Sequence, residues 1–447
     1  MTKLDPTGHL APYGVMAAAQ TAHLFAALAQ KGGTARYVGG IVRDALLARD
    51  LVDVDIACDL KPEISMAALE AAGIRVIPTG LQHGTITAII NDYSYEITTL
   101  RVDVTTDGRH ADVAFTDNWL LDAKRRDFTF NAFYCDPDGT IYDPFDGETD
   151  LRAGRVRFIG VAEDRIAEDY LRILRFFRFF AHFGRPPLDA IGAEACRKGA
   201  AGLRDISSER IRDEMFKLLR APRPAATIGD MVGFSVLPVI LPELKNIPRL
   251  RIVEWLETTA LADPAITIDP LRRMAALFAS DKTGNDGIAH AAQFARSLRL
   301  SNDEIERFSL MTASFRLIDN VMDGKRIRRH LYHLGADAFR DAVIMAWADR
   351  AAMAGRPVPG ENARWQDMLA VAQDWQAPQL PVKGRDILKA QLVPPGPMMG
   401  QLLRLAEEYW LENDMAPDHT ALMAYMAEHI ADHISTQKHT NPTQETK

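Results

Sequence analysis

The chain has 447 residues, too many for one hydrophobic core, and should divide into several domains. It is 47% hydrophobic and 25% charged, an ordinary globular mixture, and its net charge of −8 argues against a nonspecific polyanion binder with a basic tail. Cys58, Cys135 and Cys196 are scattered without metal-ligand spacing and cannot build a disulfide framework. No leader pattern opens the chain and no apolar run spans a bilayer, so a cytoplasmic protein without a membrane partner is expected.

Residues up to about 30 read as a helix. From 35 to about 142 the pattern is mixed, with strands expected at 35–38, 52–57, 84–90 and 93–100, the last two joined by an Asn91-Asp92 turn. A helix over 62–72 should stop at Gly73, a C-cap. From about Arg165 nearly everything reads as helix, broken at 184–187, 221–224, 238–248, 262–264, 355–360 and 377–381. The polar residues from about Ser435 are expected to be disordered. No internal repeat is apparent.

Tyr37 to Asp55 is the most informative stretch. It reads as strand, Gly39-Gly40 turn, short helix, then a strand in which Val52, Val54 and Ile56 alternate with Asp53 and Asp55. Period two puts both carboxylates on one face and the apolar side chains in the core. Gly39-Gly40 lets backbone N–H groups approach an anion, and Arg43 adds a guanidinium fork. Asp-x-Asp alone fits a solvated edge strand equally well. The glycine turn and Arg43 just upstream favour a phosphate cradle beside a cation-binding carboxylate pair, hence nucleoside triphosphate chemistry.

These residues resemble the class II nucleotidyltransferases of the polymerase-beta superfamily, which include tRNA CCA-adding enzymes and bacterial poly(A) polymerases. The family usually has Gly where this chain has Ala48. Further motifs carry the resemblance. Arg125-Arg126-Asp127-Phe128-Thr129-Phe130-Asn131-Ala132 is similar to family motif B, which implies that one arginine, Arg126 in preference to Arg125, grips the triphosphate and that Asn131 lies near the ribose. Tyr142-Asp143-Pro144-Phe145-Asp146-Gly147 resembles motif C, a structural junction. Glu168-Asp169-Tyr170-Leu171-Arg172 resembles motif D, and Arg175 and Arg178 continue its basic stripe. Ile206-Ser207-Ser208-Glu209-Arg210 resembles motif E, read as scaffold with Ser208 capping the next helix. In the tail, Lys383-Gly384-Arg385-Asp386 and Gly396-Pro397-Met398-Met399-Gly400 resemble the family's closing motif, with Ala390-Gln391 where a glycine is expected.

The resemblance implies an α+β protein: an N-terminal polymerase-beta-like nucleotidyltransferase head with a mixed sheet at 1–150, followed by an all-α neck at 151–225, body at 226–376 and tail at 377–435, with 436–447 disordered. It implies two Mg²⁺ ions ~3.5–4 Å apart, bridged by Asp53 and Asp55, with Glu96 as a third carboxylate near the ion that activates the attacking hydroxyl.

On one helix, Asp169 and Arg172 would be neighbours at i, i+3, and Glu168 would reach Arg172 at i, i+4. Cytosine and adenine share an amino donor beside a ring-nitrogen acceptor, which a carboxylate and a guanidinium complement. Uracil and guanine present the reverse, and such a mismatch is worth ~10⁴–10⁵ in selectivity. One Asp/Arg pair can thus accept CTP and ATP and reject UTP and GTP without a template, the mechanism attributed to the family.

Three functions follow: CCA addition, polyadenylation, or an inactive RNA-binding relative. Asp53, Asp55, Arg126, Asp169 and Arg172 are all present, against the third. Poly(A) polymerases of this class usually carry a basic Arg-Phe-Arg-Leu segment where this chain has Gln82-His83-Gly84-Thr85-Ile86-Thr87, and a basic C-terminal extension, whereas this chain is acidic. The run 96–111 resembles CCA-adding enzymes and includes, at 103–111, the loop that CC-only relatives lack. The expected function is therefore CCA addition to the tRNA 3′ acceptor end from CTP and ATP, by a monomer or homodimer that does not use DNA. No His-Asp dipeptide occurs, against a fused phosphohydrolase domain.

Overall fold

The computed structural model describes residues 4–106, 111–259, 266–280, 282, 284–356, 358 and 360–439. The chain forms two compact units. One comprises Met1–Glu254 with Ile268–Ala279 and Gln293–Ser301; the other comprises Trp255–Thr267, Ser280–Ala292 and Asn302–Lys447.

The first unit opens with β1 (Gly8–His9), α1 (Ala19–Ala29), β2 (Ala35–Val38), α2 (Gly40–Leu46), β3 (Val54–Cys58), α3 (Pro62–Ala71), β4 (Arg75–Gly80), β5 (Thr85–Ile90) and β6 (Tyr93–Thr99). After β7 (Arg101–Thr106) and β8 (Ala111–Phe115) come α4 (Trp119–Lys124), β9 (Tyr134–Cys135) and β10 (Thr140–Tyr142). Eight strands build one mixed sheet in the order β1-β10-β9-β2-β3-β6-β5-β4, while β7 and β8 pair separately. Among the described strands only β3 and β6 run parallel, which requires the long crossover through α3 and the β4–β5 hairpin. Tyr95, Ile97 and Thr99 of β6 are buried and alternate with outward Ser94 and Glu96.

The strand that carries the carboxylates is shorter than its alternation implies. It starts at Val54, so Asp53 precedes it, and Val52 is 78% exposed instead of in the core. The ladder to β6 begins at Val54↔Tyr95, so residues before 54 have no pairing partner to hold them in the sheet. Strand β4 was not expected; with Pro78 it lies at the sheet edge, where a missing N–H is tolerated. Of the expected loop at 103–111, residues 107–110 lie outside the described residues.

A helical layer follows: α5 (Gly147–Ala153), α6 (Ala162–Glu168), α7 (Leu171–Phe183), α8 (Ala190–Gly199), α9 (Ser208–Leu219) and α10 (Pro224–Gly233). Helix α7 buries Ile173, Leu174, Phe176, Phe177, Phe179 and Phe180. Phe176 stacks on Phe158 at 5.6 Å, and Phe179 meets Phe128 and Phe130 edge-on at 5.4 Å each. This aromatic cluster fixes the basic side of α7 against the head.

Two local expectations are corrected. Asp169 and Arg172 do not share a helix: α6 ends at Glu168, Asp169 is extended (φ −156°, ψ 107°), and α7 begins at Leu171. The break lets the Tyr170 ring occupy the space beside Gly202, where a Cβ would come within 2.3 Å of it. Ser208 is the first residue of α9, with Ser207 at the N-cap, and no side chain caps that end.

In the second unit the helix Gly324–Met353 kinks at Gly335 (φ 75°), and Trp347 stacks on Trp365 at 6.3 Å. Val382, Ile387, Leu402, Trp410, Leu411 and Met426 form a separate core under the helices Gly384–Lys389, Pro397–Glu412 and His419–His439. The last helix runs past Ser435, where disorder was expected, to His439. Both departures from the family's glycines sit in left-handed backbone, Ala48 at φ 52° and Gln391 at φ 55°.

Candidate active site

Beside β3 the sheet opens on a cavity of about 1010 Å³, walled by head and neck residues of the first unit. Ten of its lining side chains are Arg or Lys and six are Asp, so it suits a polyanion.

Gly39 turns β2 into α2 at φ 66°, ψ −114°, a conformation that favours glycine. A Cβ there would lie 3.4 Å from Asn131 O and 3.5 Å from Arg126 Nη1. A Cβ on Gly40 would lie 3.7 Å from Arg43 Nη2 and 3.9 Å from Asp55 Oδ2, so one glycine separates the guanidinium from the carboxylate. Asp55 and Glu96 are register partners on adjacent strands. Asp55 is half-buried, Asp53 and Glu96 are exposed, and Asp53 and Asp55 line the cavity whereas Glu96 does not. Burial and the Glu96 carboxylate, with a smaller push from Asp53, raise the Asp55 carboxyl to about 6 against the pull of Arg126 and Arg43. Among the described residues no group of three or more His, Cys, Asp or Glu stands in metal-holding geometry, so the three carboxylates do not form a closed cage.

The motif B arginines share one anchor. Asp122, 1% exposed on α4, accepts from Arg125 Nε at 2.8 Å, Arg126 Nη2 at 3.0 Å and the Tyr134 hydroxyl at 2.7 Å. Burial alone would raise its carboxyl, but Arg126 and Arg125 outweigh that and hold it well below the usual carboxylate range. Arg165 of α6 adds bonds to the main-chain oxygens of Arg125 and Arg126. Arg126 Nε is buried and bonds to no other described group, while Nη1 would lie 3.5 Å from a Cβ on Gly39 and so borders the glycine turn. Sequence reasoning missed Asp122, although its i, i+3 and i, i+4 spacing to the two arginines was a readable signal.

Asn131 lines the cavity and is held in place from two sides. Its Oδ1 accepts from Arg43 Nη1 at 2.9 Å and its Nδ2 donates to Asp127 Oδ1 at 3.0 Å. Asp127 also accepts from Arg175 Nε at 2.6 Å, so a continuous relay joins the phosphate turn to α7.

Asp169 and Arg172 both line the cavity but do not pair with each other. Asp169 Oδ2 accepts from Arg210 Nη2 at 2.8 Å, and Arg172 Nη1 donates to Glu168 Oε2 at 2.5 Å and Arg165 O at 2.8 Å. Glu168 stands outside the cavity lining and orients Arg172. Arg178 faces Glu214 at 3.2 Å; burial and Arg175 lower its guanidinium to about 10. Lys217, Phe179, His182 and Phe183 also line the cavity and were not singled out from the sequence, and Arg210, in the segment read as scaffold, lines it too.

Residues 35–157 match the poly(A) polymerase head domain family. Residues 192–247 match the family described as an RNA and SrmB binding site of polymerase A, and 284–426 match tRNA nucleotidyltransferase domain 2. The head and its cleft thus define a nucleotidyltransferase. The chain is 33% identical over 397 residues to the mitochondrial CCA tRNA nucleotidyltransferase 1 of Mus musculus, covering 88% of this chain and 86% of that one. It is 30% identical over 414 residues to the CCA-adding enzyme of Leuconostoc mesenteroides, covering 91% and 95%. The CCA-adding enzyme of Bacillus stearothermophilus, solved in complex with CTP, superposes with a TM-score of 0.71 at 26% identity, over 93% of this chain and 98% of that one. The chain belongs to the CCA-adding family of tRNA nucleotidyltransferases.

Proposed function

We propose that this protein adds or repairs the 3′-terminal CCA of tRNA, using CTP and ATP without a nucleic-acid template. The observation that carries the reading is the shared cavity: Asp169 and Arg172 line the same space as Gly39, Gly40, Asp53 and Asp55. A nucleotide held at both ends would present its base to the neck and its triphosphate to the head. The glycine turn and Arg43 receive phosphate oxygens, and Arg126, held by Asp122, presents its Nη1 beside Gly39. Asp169 accepts from the exocyclic amino group of cytosine or adenine, and Arg172 donates to the ring nitrogen. The tRNA 3′-hydroxyl attacks the α-phosphorus in line, pyrophosphate leaves, and the cationic lining offsets its charge.

The donor set fits Mg²⁺. Asp53 and Asp55 offer oxygen only, and the raised proton affinity of Asp55 marks a place where positive charge is favoured. Two ions held there with substrate phosphates would lower the pKa of the attacking hydroxyl and balance the leaving group. Glu96, beside Asp55 on the neighbouring strand, would act through it. No helix among the described residues is long and apolar enough to cross a membrane, and Cys58, Cys135 and Cys196 are buried free thiols. The unpaired thiols fit a reducing cytoplasm, and a monomer or homodimer is proposed.

The segment at 103–111, which includes the end of β7 and the start of β8, is proposed to couple head movement to the change from cytosine to the larger adenine. Deleting residues 105–109 should spare both cytidines and lose the terminal adenosine. The deciding experiment incubates the protein with tRNA ending at its discriminator base and each nucleotide singly and together, and reads product length. CTP alone should add two residues, and CTP with ATP should add three and stop. A ladder of adenosines on a generic RNA primer with ATP alone would identify a poly(A) polymerase.

A further inference from the structure

Phe183 ends α7 and lines the cavity without offering a polar atom. Two guanidiniums lie over its ring: the Cζ atoms of Arg43 and Arg49 are each 4.4 Å from its centroid. The two arginines serve different halves of the site.

Arg43 belongs to the phosphate turn, and its Nη2 lies beside Gly40, which separates it from Asp55. Its Nη1 is engaged by Asn131 at 2.9 Å and its Nε by Asp44 at 3.1 Å, which fixes the plane from two edges. The ring of Phe183 supplies a third constraint, against the face.

Arg49 anchors the segment that carries Asp53. Residues 49–53 belong to no helix or strand, and Val52 and Asp53 are exposed. Arg49 is tied down by the Tyr13 hydroxyl on its carbonyl at 2.7 Å, by its own N–H on Asp44 O at 3.0 Å, and by Nη2 on His182 O at 3.4 Å. Asp53 is thus suspended between this anchor and the start of β3.

We propose that Phe183 is a positioning residue for nucleotidyl transfer: its one ring sets both the phosphate-turn guanidinium and the anchor of the Asp53 segment. This rests on reading the cavity as a nucleotidyl-transfer site. The electron-rich π-system attracts both cations, which leucine of similar bulk cannot do. Because the ring sits on the neck helix that also bears Arg172, Arg175 and Arg178, the phosphate end and the base end of the site share one rigid support.

The test replaces Phe183 by mono-, di- and trifluorophenylalanine, which withdraw charge from the ring face while keeping its shape. Cytidine addition should fall stepwise along the series, ~10-fold from first to last, with KM for tRNA and the thermal midpoint unchanged. Phe183→Leu should lose at least as much, and Phe183→Tyr, which keeps the ring face, should retain most of the rate. A flat fluorine series, or a leucine variant as fast as the parent, overturns the proposal. CTP and ATP affinities in Mg²⁺, measured by calorimetry on the same proteins, keep the two readings apart. If the parent protein fails to extend tRNA, the transfer reading fails, while the affinity series still decides whether Phe183 orders the cations.

Discussion

Asp55 on β3 and Glu96 on β6 face each other across the parallel pair of the head sheet, two carboxylates on one face. Together with burial, this neighbour keeps the Asp55 proton up to about pH 6. An unfolded aspartate titrates near ~4, so between these values the folded chain holds the proton more tightly. Stability therefore falls as pH rises from about 4 to about 6, and stays lower above, by up to roughly 2–3 kcal/mol. Asp55→Asn should remove that loss and be the more stable protein at pH 7.5, while tRNA extension disappears. Urea midpoints at pH 4.5 and 7.5 check this; the same pH dependence in both proteins would assign it elsewhere.

Mg²⁺ should replace the proton. Millimolar Mg²⁺ is expected to raise the thermal midpoint more at pH 7.5 than at pH 5, because the ion binds the ionised carboxylate. Asp53→Ala and Asp55→Ala should each abolish the increment and the transfer while tRNA still binds. An undiminished Mg²⁺ increment in both variants places the cation away from this pair.

Asp122 makes the opposite pH statement. Its carboxyl is held low by Arg126 and Arg125 against its burial, so its contribution is present above an unfolded pKa near ~4 and is lost as pH falls through the folded value. Asp122→Ala strands two partly buried guanidiniums and should cost ~3–5 kcal/mol. Asp122→Asn, which keeps the shape, should cost less but raise KM for both CTP and ATP by loosening Arg126. Unchanged KM values with lost stability would leave Asp122 a purely structural residue.

Base choice should follow Asp169. Its carboxylate accepts from Arg210, while Arg172 leans on Glu168, so each presents its remaining capacity to the cavity separately. Asp169→Ala is expected to relax the exclusion of UTP and GTP more than it changes triphosphate affinity. Competition of CTP against UTP in single-nucleotide extension reads this directly, and intact discrimination would reduce Asp169 to the ion-pair partner of Arg210.

Ala48 and Gln391 hold left-handed backbone, at φ 52° and 55°. That conformation costs a residue with a Cβ ~1–2 kcal/mol, and glycine returns ~0.5–1 kcal/mol of it as unfolded-state entropy. Ala48→Gly and Gln391→Gly should therefore each stabilise by about 0.5–1 kcal/mol with activity unchanged. Denaturant midpoints of the two single variants are the measurement, and a loss of stability in either would contradict the strain.

Local pattern carried much of this protein in its sequence. Gly39-Gly40, the alternation around Asp55, the Asn91-Asp92 turn and the phenylalanine-rich stripe of α7 were legible because neighbouring residues alone determine turns, strand faces and helix faces. The family glycines replaced at Ala48 and at Ala390-Gln391 were visible as departures, and the structure puts left-handed backbone at Ala48 and Gln391. Partners were another matter. Arg210 on Asp169, Asn131 between Arg43 and Asp127, and Phe183 under Arg43 and Arg49 bring together groups from different elements. Val52 looked like core and is exposed, because no strand pairs with the chain before Val54. A guanidinium bonds to whichever carboxylate or carbonyl packing brings within 3 Å, and that is decided by how helices and strands stack, not by the spacing of letters along the chain.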